Sequence, residues 1–256
     1  MTRSIAKLAP ALLAAFSVAW PMEHKATADE LDRAKVEEAI HDYILNHPEI
    51  IRDAIVEMQR HEQADKEKAA LAALENNRAL LLASPHQAVI GNPNGDISIV
   101  EFFDYNCPYC RQSAPDLASV LAQDKNVRVV LKEWPILGPD SIEAAKVSIA
   151  ARILDGGARF QEFHEKLLAI HGRANRTNAI QVATSVGYDS QRIESEIESD
   201  EVKSTIAEVA QLGTTLNITG TPSFIAGSRA IAGAMDVNGL KRVVARARQE
   251  CKTPSC

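Results

Sequence analysis

The stretch VEFFDYNCPYCRQSAP, residues 100–115, decides how this chain is read. Cys107 and Cys110 stand with two residues between them, after an apolar run and before a segment suited to a helix. Such a pair can staple a loop, supply half of a metal site, or exchange electrons with other thiols. A staple closing so short a loop contributes little, because loop-closure entropy grows with loop length. A zinc or copper site needs further ligands. Only Cys251, Cys256 or a histidine could supply them, and there is no second C-x-x-C. Redox exchange therefore has the most support.

The local pattern supports the same reading. Residues 97–103, ISIVEFF, form a β-branched and aromatic run that predicts a buried central strand. Pro108 suits the first position of a helix running to about Leu121, which puts Cys107 at its cap. There the unsatisfied backbone N–H groups and the helix dipole favour negative charge on an exposed sulfur. Cys110, about one turn later, can close a disulfide behind it. Residues 127–134, VRVVLKEW, predict a second strand. Strand, helix, strand at this spacing predicts a parallel pair with a right-handed crossover.

Further out, residues 141–217 read as a long helical stretch broken near GRANRTN and VGYDS. GTPSFIAGSRAIAG predicts a hairpin with strands near 223–225 and 230–232, and 236–249 a last helix. Upstream, residues 88–90 suit a short strand and SPHQ, residues 84–87, a linker. Residues 30–82 are rich in Ala, Glu, Lys and Leu, with Val36, Ile40, Tyr43 and Ile44 at helical spacing and Pro48 dividing two helices. So polar a helical segment is either a solvated tail or an oligomerisation arm.

The chain has 256 residues and is 46% hydrophobic, enough for a sizeable core. It opens with a basic Arg3 and Lys7, an apolar run from Leu8 to Trp20, and ATA at residues 26–28. This reads as an export signal cleaved near Ala28, the apolar run being too short to span a bilayer comfortably. Without residues 1–28 the chain keeps 25 basic and 33 acidic residues, which argues against nucleic acid as a partner. Export sets the four cysteines in an oxidising compartment. Cys251 and Cys256, in CKTPSC, read as a local disulfide or a secondary redox or metal-handling pair. The seven histidines lack ligand spacing, and no metal or other cofactor is assigned.

EFFDYNCPYCR and GTPSFIAG, separated by a helical stretch, resemble the DsbA family of bacterial thiol–disulfide oxidoreductases over residues 84–250. The N-terminal extension, Tyr109 and the Thr221–Pro222 pair resemble its ScsC-type, copper-tolerance-associated branch. The resemblance implies an α/β thioredoxin fold with an inserted helical domain, preceded by an N-terminal helical arm. The segments are then a signal peptide (1–28), an oligomerisation arm (29–83) and a catalytic domain (84–256) with its insertion at about 139–217. It implies Cys107 as the exposed nucleophile, Cys110 as the buried resolving thiol, Pro222 as a cis-proline and Thr221 as a modulator of redox character. Glu101, six residues before Cys107, matches a buried acid that relays a proton to Cys110, though an edge-of-strand carboxylate is the plainer reading. Lys132 is a candidate partner for it. A second acid of some relatives is Ala114 here. Implied partners are cysteine-containing exported substrates, a membrane redox partner and further copies of the chain through residues 30–82, in the periplasm. Oxidase and isomerase both fit the pattern. A copper-binding or chaperone-like exported protein is the alternative.

Overall fold

The computed structural model describes residues 33–251. The expected signal segment and Cys256 lie outside the described residues, whereas Cys251 is engaged in a disulfide. The chain divides into two compact units, residues 1–60 and 61–256. The first holds α1 (Arg33–Asn46) and the start of α2 (Glu49–Asn76), which meet at His47–Pro48, where proline ends one helix and opens the next. Neither helix buries a residue, and Ile40, Tyr43, Ile51, Ile55 and Met58 are exposed.

The second unit is built on five strands: β1 (Ala88–Gly91), β2 (Ile97–Phe103), β3 (Val127–Glu133), β4 (Ser223–Ala226) and β5 (Arg229–Ala232). They lie in the order β1-β3-β2-β4-β5, with β2 and β3 parallel and the other pairs antiparallel. The parallel pair is the one that the strand–helix–strand spacing predicts; its crossover is α4 (Pro108–Gln123).

Every residue of β2 is buried, as a run flanked on both faces requires. Alternation along the strands sorts the core into two layers. Ile97, Ile99 and Phe103, with Val127, Val129 and Leu131, pack on the face shared with α4 and α10 (Val237–Glu250). Val100, Phe102 and Val130 pack on the other face, against Leu81 of α3 (Arg78–Leu82) and Val209 and Leu212 of α9 (Asp200–Thr215).

Between β3 and β4 stand α5 (Pro139–Asp155), α6 (Phe160–Leu168), α7 (Arg176–Ser185), α8 (Ser190–Glu196) and α9. The breaks fall where GRANRTN and VGYDS place them, because each supplies a cap. Asn175 accepts from Asn178 N, and Asp189 accepts from Arg192 N.

The expected linker is fixed in place. Ser84 Oγ donates to Glu208, Arg152 donates to the Pro85 carbonyl and Gln87 to the Leu82 carbonyl. SPHQ carries the turn composition of a linker, but Ser84 finds its partner on α9, the Pro85 carbonyl on α5 and the Gln87 amide at Leu82. Among the described residues no helix is long and apolar enough to cross a membrane.

Candidate active site

β2 ends at Phe103, and Asp104 organises the turn that follows. Its side chain accepts from Asn106 N (2.8 Å) and from Leu137 N (3.0 Å), and its carbonyl accepts from Cys107 N (3.0 Å). The Leu137 contact draws in the loop after β3. Gly138 ends that loop at φ 108° and ψ −171°, a conformation open essentially to glycine alone.

Cys107 is the N-cap of α4 in extended conformation, with Pro108 in the first turn. Cys107 and Cys110 are both free thiols. The thiol of Cys107 donates to the Thr221 carbonyl at 3.1 Å, and the Thr221–Pro222 peptide is cis. The loop is held by Ser223 Oγ donating to the Gly220 carbonyl and Gly233 N donating to the Pro222 carbonyl. Cys107, Cys110, Thr221 and Pro222 thus come together as the sequence motifs imply.

Two expectations change. Cys107 is only 4% exposed, because the loop before Pro222 covers its sulfur. The sulfur also takes no capping hydrogen bond from the α4 backbone; as a thiol it donates its proton to the Thr221 carbonyl. Cys110 is deeper, and burial pushes its thiol well above the ordinary range. Negative charge on Glu101 and Cys107 pushes the same way, while the Asp104 backbone N–H favours the thiolate.

Glu101 is buried in the middle of β2, and desolvation raises its carboxyl to about 8. Ala114, standing where some relatives carry the second acid, lines a cavity of about 10 Å³ together with Glu101, His164 and Glu165. Such a void has room for about one water.

Lys132 does not pair with Glu101. In the parallel register Lys132 lies beside Phe102 and Glu101 beside Leu131, so the two charges point to opposite faces. The Lys132 ammonium donates to the Leu80 carbonyl (2.6 Å) and stands 3.7 Å from Glu208. Burial lowers it to about 8 even so.

Other polar groups near the pair had no motif to announce them. Tyr105 Oη lies 2.8 Å from Ser148 Oγ and 3.2 Å from His164 Nδ1, and Ser148 donates to Glu133 at 3.0 Å. All four residues are buried. Desolvation raises Glu133 and lowers His164 to about 3, so the imidazole is neutral. Arg111 donates to the carbonyls of Tyr105, Ile170 and Gly172. His164 sits on the apolar stripe of FQEFHEKLL, a placement that suits a core histidine as well as a functional one. Among the described residues no group of three His, Cys, Asp or Glu side chains is arranged to hold a metal.

The DSBA-like thioredoxin domain model matches residues 98–245, and the N-terminal domain model of copper resistance protein ScsC matches residues 32–65. A thioredoxin-like oxidoreductase from Silicibacter pomeroyi is 39% identical, with a TM-score of 0.65 over 68% of this chain and 99% of that one. Proteus mirabilis ScsC in a transitional conformation is 25% identical, with a TM-score of 0.64 over 88% of this chain and 99% of that one. The thiol:disulfide interchange protein DsbA of Bordetella pertussis is 30% identical over 146 residues, covering 53% of this chain and 65% of that protein. The chain also matches the Na(+)/H(+) antiporter NhaA 1 of Salinispora arenicola, but spans only 24% of its length. With a domain match over more than half its length and an N-terminal segment of the ScsC type, the chain belongs to the DSBA-like thioredoxin-domain family.

Proposed function

We propose that the protein is a periplasmic thiol–disulfide oxidoreductase working through Cys107 and Cys110, with isomerisation as its main task. One observation carries this reading: the Cys107 sulfur sits 3.1 Å from the backbone carbonyl preceding cis Pro222, with Cys110 buried behind it. In the oxidising direction, a substrate thiolate attacks Cys107 Sγ of the disulfide and expels Cys110 as thiolate. A second substrate thiolate then attacks the substrate sulfur of this mixed disulfide and expels Cys107. The substrate loses two electrons and the pair gains them; a membrane redox partner restores the disulfide.

In the isomerising direction, the Cys107 thiolate attacks a wrong substrate disulfide and releases a substrate thiolate. That thiolate attacks a different substrate sulfur, and the last exchange returns Cys107 with no net redox change. Where Cys110 resolves the mixed disulfide instead, its proton passes to Glu101, whose carboxyl at about 8 can both take and release one near neutral pH.

Isomerisation benefits from several catalytic domains around one substrate. The exposed Ile40, Tyr43, Ile51 and Ile55 supply an apolar surface for joining copies of the chain, and the ScsC-type match covers them. The test is reactivation of scrambled, fully oxidised ribonuclease by the reduced full chain. Cys107→Ser is expected to abolish reactivation. Ile51→Asp with Ile55→Asp is expected to give monomers that reactivate poorly yet still oxidise reduced ribonuclease when supplied as the disulfide form. Efficient reactivation by those monomers would remove the arm from the mechanism. No reactivation by the wild-type chain, with rapid oxidation, would make it an oxidase.

A further inference from the structure

Asn106 immediately precedes Cys107, yet its side chain is spent on another part of the molecule. Its Nδ2 donates to the Ala174 carbonyl (2.8 Å), and its Oδ1 accepts from Ala174 N (2.8 Å). That reciprocal pair is what two strands make with their backbones, here made by one amide. A third bond runs from Nδ2 to Ser141 Oγ at the start of α5 (3.1 Å). Only an amide of this length offers both donors and the acceptor; aspartate keeps the acceptor alone.

The same segment is gripped at its other end. Arg111, immediately after Cys110, donates to the carbonyls of Ile170 (3.2 Å) and Gly172 (2.7 Å), and to that of Tyr105 (2.8 Å). The residues flanking the redox pair on either side therefore hold residues 170–174 against it. Within this segment the side chains of His171 and Arg173, and Gly172 between them, are exposed. With its sulfur under the Thr221 carbonyl, Cys107 is 4% exposed, so a substrate reaches it only by lying on the surrounding surface.

The backbone of the redox turn does not depend on these bonds. Asn106 N, Cys107 N and Leu137 N are all held by Asp104. Loss of the Asn106 side chain thus releases the Ala174 end of the neighbouring segment, whose remaining ties are Arg111 at Ile170 and Gly172 and Asn178 and Asp140 at Arg173, and leaves the sulfur where it is. We infer that Asn106 is a positioning residue that fixes residues 170–174 as one wall of the docking site for protein substrates at Cys107. The inference rests on Cys107 being the attacking sulfur. A small disulfide does not need the wall. A folded or partly folded protein, which must rest on it, does.

The experiment compares the reduced full chain as wild type, Asn106→Ala, Asn106→Asp and Cys107→Ser in two reactions. One is thiol exchange with the small aromatic disulfide DTNB, the other reduction of scrambled ribonuclease. Asn106→Ala is expected to slow the ribonuclease reaction about ten-fold and the DTNB reaction less than about two-fold, since misplaced docking elements cost rate only for substrates that use them. Asn106→Asp, which keeps the acceptor for Ala174 N–H and loses both donors, is expected to fall between wild type and Asn106→Ala. A proportional fall in both reactions would mean that Asn106 acts on the sulfur or the fold, and would overturn the inference. So would no fall in either. A wild type as inert as Cys107→Ser in both reactions would overturn the reading of Cys107, and the inference with it. An active wild type with an unselective Asn106→Ala overturns the inference alone.

Discussion

The two faces of the central sheet bury charge in different ways. On the face away from Cys107 and Cys110, Lys132 is fully buried but has the Leu80 carbonyl at 2.6 Å and the Glu208 carboxylate at 3.7 Å. On the other face Glu101 lies beside Leu131, the residue before Lys132, and there burial alone governs the carboxyl. A buried charge with partners is a structural element; a buried acid held near neutral pH by desolvation is poised to move a proton. One residue of offset between β2 and β3 separates the two behaviours.

The largest expected effect comes from breaking the redox face. A carboxyl at 4.5 unfolded and about 8 folded holds its proton longer in the native state. Stability therefore falls as pH rises from 4.5 to about 8, by up to about 5 kcal/mol, and levels off above. Glu101→Gln is expected to abolish that fall, leaving the variant roughly 3 kcal/mol more stable than wild type at pH 7. It is also expected to slow resolution of a mixed disulfide by Cys110 about 10²-fold, the usual worth of a positioned base. Urea unfolding from pH 4 to 9 and single-turnover quenching read the two effects. Higher stability without slower resolution would reduce Glu101 to a buried strand residue.

The opposite face has the opposite sign. Lys132 titrates at about 8 folded and 10.5 unfolded, so the unfolded chain binds the extra proton between them. Stability from this group rises with pH across that window, by up to about 3 kcal/mol. Lys132→Met is expected to flatten the rise and leave exchange rates untouched. A slowed exchange in this variant would show that the two faces are coupled, and the comparison would fail.

Sequence and structure agree most where local chemistry is strong. Seven buried residues in a row, five of them β-branched or aromatic, make β2; Pro108 and the residues around it make the start of α4. The placing of Cys107 and Cys110 at the start of α4, and the cis Pro222 beside them, are legible because each carries a short motif. Lys132 is misplaced from sequence because proximity to Glu101 depends on register, and one step of register moves a side chain to the other face. The exposure of Cys107 is misjudged for a related reason: the loop that covers it arrives from residue 221, far along the chain. The Asn106–Ala174 pair spans a sequence separation of 68, which no local pattern encodes. Nor does any pattern announce Asp104 as the hub of the turn.

The smallest expected effect tests whether the polar chain at Tyr105 belongs with Glu101 or with Lys132. Because Ser148 donates its one hydroxyl hydrogen to Glu133, the hydrogen bonds run in one direction. His164 Nδ1–H donates to the Tyr105 hydroxyl, that hydroxyl to Ser148, and Ser148 to the Glu133 carboxylate. A chain with a fixed direction ends on a single acceptor and has partners throughout, which likens it to the arrangement around Lys132. Tyr105→Phe removes the middle link. It keeps the ring contacts with Phe103 and His164 but leaves a buried donor and a buried acceptor unpaired. The cost is expected at about 1–2 kcal/mol in urea unfolding at pH 7. If the chain is structural, the pH dependence of Cys110 resolution stays as in wild type. A shift of that profile with little loss of stability would place the chain beside Glu101 as part of the proton path, and the redox face would then hold two routes for a proton.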